Sequence, residues 1–278
     1  TNVDNTETCM GSIKKFFLFL TMVVFVVDII LVIIYVKSNE EGEPIINVPT
    51  YDVLPPLFSE IPTKETSDIS IWQPDTPEKG VIINIEYYNQ DNFPTFCEGV
   101  TTLMALRYMG YDVTIDDIIA KVPYYEPKIV GGKLYGEDPN LFFVGHPRKS
   151  DARGCYAPVI EKLLKEIAGE DAVHNITGME IEDILTQYIN KGIPVIFWAT
   201  MGMAEPTEGT TWTIERTGET FNWKGREHCL LLAGSDSKSY YFYDPQNNKG
   251  IIAYDRATVE KRYEQMGKMA VALVKKGK

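Results

Sequence analysis

The chain has 278 residues, 44% of them hydrophobic and 12% aromatic, with a formal net charge of −12. That is enough apolar material for one large domain or two small ones, and it excludes wholesale disorder. An acidic chain without a basic cluster is a poor nucleic-acid binder. Four cysteines are too few for a disulfide framework, and neither C-x-x-C nor H-E-x-x-H occurs to support zinc, so no metal, cofactor or nucleic acid is expected.

After a short tail (1–15) comes an apolar run of 21 residues, 16–36, interrupted only by Thr21 and Asp28. At about 1.5 Å per residue it reaches across a bilayer core of roughly 30 Å. Lys14 and Lys15 flank its start and Glu40, Glu41 and Glu43 follow it, which favours an inside N-terminus and an outside C-terminus. A cleavable signal peptide is the rival reading. It needs a shorter apolar region ending in small residues, whereas this run ends Ile34-Tyr35-Val36-Lys37, so an uncleaved single-pass anchor is expected. Asp28 costs about 2.5–3.5 kcal/mol inside the span. It reads either as a contact to a partner helix or as one acid that a strongly apolar span tolerates. Residues 37–80 carry seven prolines among acids and small polar residues and read as a semi-rigid stalk.

From residue 81 the pattern changes to that of a folded α+β domain, 81–278. A strand and turn over 81–90 precede Cys97, and a helical pattern over 98–109 stops at Gly110. Thr114-Ile115-Asp116-Asp117 resembles a capping box opening a helix through Ala120. Residues 126–153 read as a glycine- and proline-rich loop, 156–168 as an amphipathic helix, and 181–189 as another helix. A buried strand is expected over 194–199, then strands over 211–215, 220–223, 229–233, 240–243 and 251–254. A helix over 258–265 and a strand over 269–274 close the domain.

Cys97 lies at a helix start, where free backbone N–H groups and the helix dipole favour thiolate. An attack on an amide carbonyl also needs an imidazole, a group to hold its tautomer, and a donor for the developing oxyanion. The order Gln90, Cys97, His228, Asp244 supplies these parts. Cys97 and His228 are 131 residues apart, and Asp244 follows His228 by 16, which suits adjacent antiparallel strands.

Asn84-Ile85-Glu86-Tyr87-Tyr88-Asn89-Gln90 and the stretch from Pro94-Thr95-Phe96-Cys97 to Gly110 resemble the nucleophile region of bacterial papain-like cysteine peptidases related to the bacteriocin leader (double-glycine) peptidases. Gly145-His146-Pro147, Gly154 to Pro158, Gly192 to Val195, Trp223 to His228 and Tyr243-Asp244-Pro245 resemble further motifs of that family. The resemblance covers 81–274. It implies a papain-like fold with helices carrying the nucleophile and a C-terminal antiparallel sheet carrying His and Asp. It also implies Cys97 as nucleophile, His228 as general base and acid, Asp244 as orienter and Gln90 as oxyanion donor. The family's transporter-linked members carry Cys-Gly-Pro where this chain has Cys97-Glu98-Gly99, and no ATPase or multi-span region follows. The expectation is a free-standing relative without the double-glycine leader specificity.

Blander readings stand beside these. His228 fits a core strand, Asp244-Pro245 a strand end, and Cys97 inert packing. His174 reads as structural, as does His146, with lining the cleft as its alternative. Glu98 is expected to face solvent or the helix's free donors, with selection of substrate charge as the functional alternative. Cys155 and Cys229 read as buried small residues rather than a disulfide, and Cys9 has no role. Trp212, Trp223 and the 126–153 loop either shape the cleft or belong to the core. The function expected is a membrane-anchored, extracytoplasmic cysteine peptidase acting on a peptide or protein. Its rivals are an acyltransferase or amidase on the same residues and an inactive surface binding module.

Overall fold

The computed structural model describes residues 80–275 and Gly277, which form a mixed α/β arrangement. The tail, the apolar span with Asp28, and residues 37–79 lie outside the described residues. Among the described residues no helix is long and apolar enough to cross a membrane.

A two-residue strand β1 (Val81–Ile82) leads by an irregular stretch to α1 (Cys97–Tyr108). Gly110 takes a left-handed φ of 84° beyond the helix end. Its N–H donates to the Arg107 carbonyl and the Tyr111 N–H to the Leu106 carbonyl, so two orphan carbonyls are satisfied. In α2 (Ile115–Lys121) the Thr114 hydroxyl accepts from the Asp117 N–H and the Asp117 carboxylate accepts from the Thr114 N–H, as the sequence pattern predicts. The short strands β2 (Tyr124–Tyr125), β3 (Lys128–Val130), β4 (Lys133–Gly136) and β5 (Phe143–Val144) follow. Helix α3 (Ala157–Ala168) has Pro158 in its first turn and buries Val159, Ile160, Leu163 and Leu164. After β6 (Val173–Asn175), α4 (Ile181–Gln187) and a 3₁₀ turn comes β7 (Val195–Thr200), buried at every residue. The chain then runs through β8 (Thr207–Ile214), β9 (Thr220–Gly225), β10 (Glu227–Ser235), β11 (Ser239–Tyr243) and β12 (Ile251–Asp255). Helix α5 (Arg256–Gln265) and β13 (Ala270–Leu273) complete it.

The main sheet has the order β12-β11-β10-β7-β13-β6, with β1 paired to the end of β10, and every pairing is antiparallel. Both its faces are covered. Phe197 of β7 stacks on Tyr263 of α5 with ring centroids 4.2 Å apart, while the next residue, Trp198, donates its indole N–H to the Cys155 carbonyl. Helix α1 packs on β10 and β7, where the Thr101 hydroxyl donates to the Cys229 carbonyl. A second sheet, β3-β4-β8-β9, surrounds a small core of Val144, Trp212, Ile214 and Trp223.

Two expectations need correction. The 126–153 segment is not all loop. β3 and β4 pair with each other, β4 runs parallel to β8, and β5 runs parallel to β2. All three residues of β3 are exposed, so no apolar alternation marked it as a strand. Conversely, only Val81 and Ile82 of the 81–90 segment form a strand. Further along, the Ile85 N–H donates to the Tyr243 hydroxyl and the Gln90 N–H to the Pro245 carbonyl, so those donors leave the ladder.

Phe197→Ala removes a fully buried ring that touches both Tyr263 and Phe242. It is expected to cost about 3–5 kcal/mol in urea denaturation. Thr114→Ala, which deletes one exposed cap, is expected to cost about 1 kcal/mol.

Candidate active site

Cys97 is the first residue of α1, and the preceding Phe96 is buried with its ring edge-on to Phe143 at 5.1 Å. That ring folds back over the first helical turn. A Cβ on Gly99 would lie 2.0 Å from it, so glycine at this position lets Phe96 pin the helix start. Cys97 itself is only 6% exposed.

His228 and Asp244 lie at the facing ends of β10 and β11, joined by the turn at Asp236, whose carboxylate accepts from the Lys238 and Ser239 N–H groups. His228 Nε2 donates to Asp244 Oδ1 at 2.7 Å. Asp244 also accepts from the Gln246 N–H at 2.9 Å and from the Tyr254 hydroxyl at 3.2 Å. Burial alone would raise its carboxyl, but the His228 hydrogen bond and charge, the Gln246 N–H and the Tyr254 hydroxyl outweigh burial and hold it below the ordinary carboxylate value. The ionised Asp244 fixes the proton on Nε2 and leaves Nδ1 as the basic nitrogen.

The surroundings of Cys97 overturn two expectations. Glu98 does not face solvent. It is fully buried, accepting the Cys155 N–H at 2.6 Å on one oxygen and the Cys97 thiol at 3.3 Å on the other. Glu227, also buried, brings a carboxylate oxygen to the same place, so that single donor atoms of Cys97, Glu98 and Glu227 lie within 4.8 Å of one another. One Glu227 oxygen has no hydrogen-bond partner. Burial lifts Glu98 to about 7 against the bonds from backbone N–H groups, and burial followed by the Glu98 charge pushes Glu227 well above the usual range. Cys97 is pushed up as well, first by burial and then by the Glu98, Glu227 and Cys229 charges, with the Cys229 N–H opposing. Burial and the neighbouring acids therefore override the helix N-terminus, and the resting group is a thiol. The trio is the one set of described residues placed to share a cation.

Gln90, Cys97, Met201, Trp223, Arg226 and His228 line a cleft of ≈170 Å³. The Gln90 carboxamide donates one hydrogen to the Pro94 carbonyl at 3.1 Å and has a second to offer. Gln90, Cys97 and His228 are thus brought together, with Asp244 behind the imidazole. A larger hollow of ≈720 Å³ beside α4 and α5 is lined by Glu180, Glu182, Glu260 and Glu264 with Lys261 and Lys268, and contains no cysteine, serine or histidine. His146 and Trp212 line a separate hollow, and His174 lies exposed on β6 bonded to the Tyr188 hydroxyl. Trp223 both walls the cleft and stacks on Tyr156 at 5.2 Å. Cys155 and Cys229 are free and buried. Sequence reasoning missed Glu227 and Arg226. The signal for Glu227 was an acid opening a continuously apolar strand.

The raised acids make a pH prediction. A carboxyl whose folded value lies above its unfolded one stabilises the fold below the unfolded value and loses that contribution as pH rises through the folded one. Glu98 shifts from 4.5 to about 7, so stability is expected to fall between those limits by on the order of 3 kcal/mol, with Glu227 adding to the slope. Urea midpoints measured across this range are expected to flatten in Glu98→Gln, whose amide oxygen still accepts the Cys155 N–H.

Comparisons with known proteins give the family. The model of the Peptidase_C39 like family matches residues 82–271. The protein described as "Uncharacterized protein YvpB", from Bacillus subtilis (strain 168), is 33% identical over 201 residues, which is 69% of this chain and 76% of that protein. A crystal structure described as that of a C39-like peptidase from Bacillus anthracis matches with a TM-score of 0.61 and 25% identity, covering 72% of this chain and 100% of that one. The match runs from β1 into β13 and includes Gln90, Cys97, His228 and Asp244, and this chain belongs to the Peptidase_C39 like family.

Proposed function

We infer that the chain is a cysteine peptidase that cleaves peptide bonds in the cleft at the start of α1, held outside the cell membrane by the apolar span at 16–36. The observation that carries this reading is the His228–Asp244 hydrogen bond, placed so that the imidazole enters a cleft shared with Cys97 and Gln90.

The chemistry follows from these groups. Substrate enters, water leaves, and His228 Nδ1 takes the Cys97 thiol proton while Sγ attacks the peptide carbonyl. The oxyanion accepts the free Gln90 hydrogen and a backbone N–H from the first turn of α1. The imidazolium, stabilised by Asp244, protonates the leaving amine, which departs to leave a thioester on Cys97. Water, deprotonated by His228, then releases the acid and restores the thiol. Because the resting group is a thiol, the ion pair forms with substrate in place.

Cys97→Ala and His228→Ala are each expected to lower peptide cleavage by at least about a thousandfold. A peptide carrying an electrophilic epoxide, which occupies the cleft as substrate does, is expected to label the full-length wild type chiefly at Cys97, and His228→Ala should suppress it. Equal labelling of Cys97, Cys155 and Cys229 would count against the nucleophile assignment. A peptide product joined to an added amine, in place of the free acid, would convert the reading to acyl transfer.

The anchor has its own test. Protease added to intact cells is expected to degrade the domain at 81–278, and protection of that domain until the cells are lysed would overturn the outward orientation.

A further inference from the structure

Arg226 is the single residue between β9 and β10, the point where the chain passes from the small sheet to the main sheet. Its φ is 67°, a left-handed conformation that strains a bulky residue and that glycine, asparagine or aspartate adopts more readily. The side chain is exposed and lines the cleft between Trp223 and His228.

Arg153 lines the same cleft from the segment before α3. Its guanidinium donates from one nitrogen to the Asp151 and Ala152 carbonyls, which leaves further donors unused. The chain has 39 acids against 27 lysines and arginines, and Arg148, Arg216, Arg256 and Arg262 each pair with a carboxylate. Among the described residues neither Arg153 nor Arg226 has a carboxylate partner. Arg107 also lacks a carboxylate partner, but it donates to the Val113 carbonyl, lies over the Tyr88 ring and does not line this cleft.

We propose that Arg153 and Arg226 form a cationic subsite for an acidic side chain, aspartate or glutamate, within about two residues of the scissile bond. This rests on the reading of the Cys97 cleft as a peptidase site. The cleft of ≈170 Å³ is smaller than the roughly 300 Å³ at which pockets begin to hold drug-sized ligands, so its walls act on the side chains flanking the reacting peptide. Arginine presents a planar fork matched to a carboxylate, and two such forks lining one cleft discriminate against a lysine-bearing peptide. A net acidic body with a positive cleft also discourages acidic peptides from docking elsewhere.

The test separates binding from cleavage in the full-length chain. In Cys97→Ala, fluorescence anisotropy with otherwise matched peptides is expected to show aspartate- or glutamate-bearing ones bound about tenfold more tightly than lysine-bearing ones, with the preference shrinking as salt rises. Adding Arg226→Gly should erase most of that preference while leaving the fold as stable or slightly more so, because the strained backbone is relieved. Adding Arg226→Asp should shift it toward lysine. Equal affinity for acidic and basic peptides, or a preference unmoved by both substitutions, would overturn the subsite. Charge-blind cleavage by the wild type would likewise sink the subsite and leave the peptidase reading intact. Acidic peptides bound but never cleaved would do the reverse, and neither binding nor cleavage would remove both.

Discussion

The structure depends on the burial of β10. All nine residues from Glu227 to Ser235 are buried, and the strand pairs with β7 along one edge, β11 along the other, and β1 at its end. Six of the nine are apolar or glycine, Cys229 to Gly234, and they anchor the strand in the core. The polar ones at its start line the cleft. Alternation along a strand sends Glu227 and Cys229 to one face and His228 to the other. The same backbone thus supplies the acid beside Cys97 and the imidazole bonded to Asp244. A change of register by one residue would exchange the two faces, so the packing of Leu230, Leu231 and Leu232 is also what aims His228.

Glu98 and Glu227 place function and stability in opposition. Two carboxyls beside a thiol in a dry pocket each disfavour charge on the others. The fold gains a satisfied Cys155 N–H and a closely packed Gly154, where a Cβ would come within 2.5 Å of the Glu98 carboxylate. It carries an unpaired Glu227 oxygen and a nucleophile that rests protonated. A protonated thiol reacts slowly with stray electrophiles and oxidants. Substrate entry then matters for ionisation as well as for geometry, because attack and proton transfer to His228 happen together.

The elements set by local rules were legible in the sequence. The stop of α1 at Gly110, the capping box of α2 and the continuously apolar β7 each announce themselves within a few residues. The meeting of Gln90, Cys97 and His228 at one cleft, with Asp244 bonded to His228, was foreshadowed by their order, because amide cleavage would require each residue type, and β10 and β11 do pair as the spacing demanded. Tertiary placement was not legible. An acid at the second position of a helix ordinarily sits in solvent near the dipole. Only the approach of the Gly154-Cys155 backbone turns Glu98 inward. The strands within 128–136 escaped notice because their partners are each other and the distant β8, and their side chains are mostly exposed.

The join at Arg226 ties these levels together. β9 brings Trp223 to the cleft wall and β10 brings His228 to its floor, and one residue connects the strands. The Arg226 carbonyl accepts the Met201 N–H at 2.9 Å, which ties the join to the segment after β7. A longer loop would let the two sheets slide and the cleft change width. A single left-handed residue held by a hydrogen bond confines any such motion to its own two torsions. Glycine would relax the strain and also widen the set of accessible torsions. A bulky residue here therefore stiffens the cleft and sets its own charge at the cleft lining.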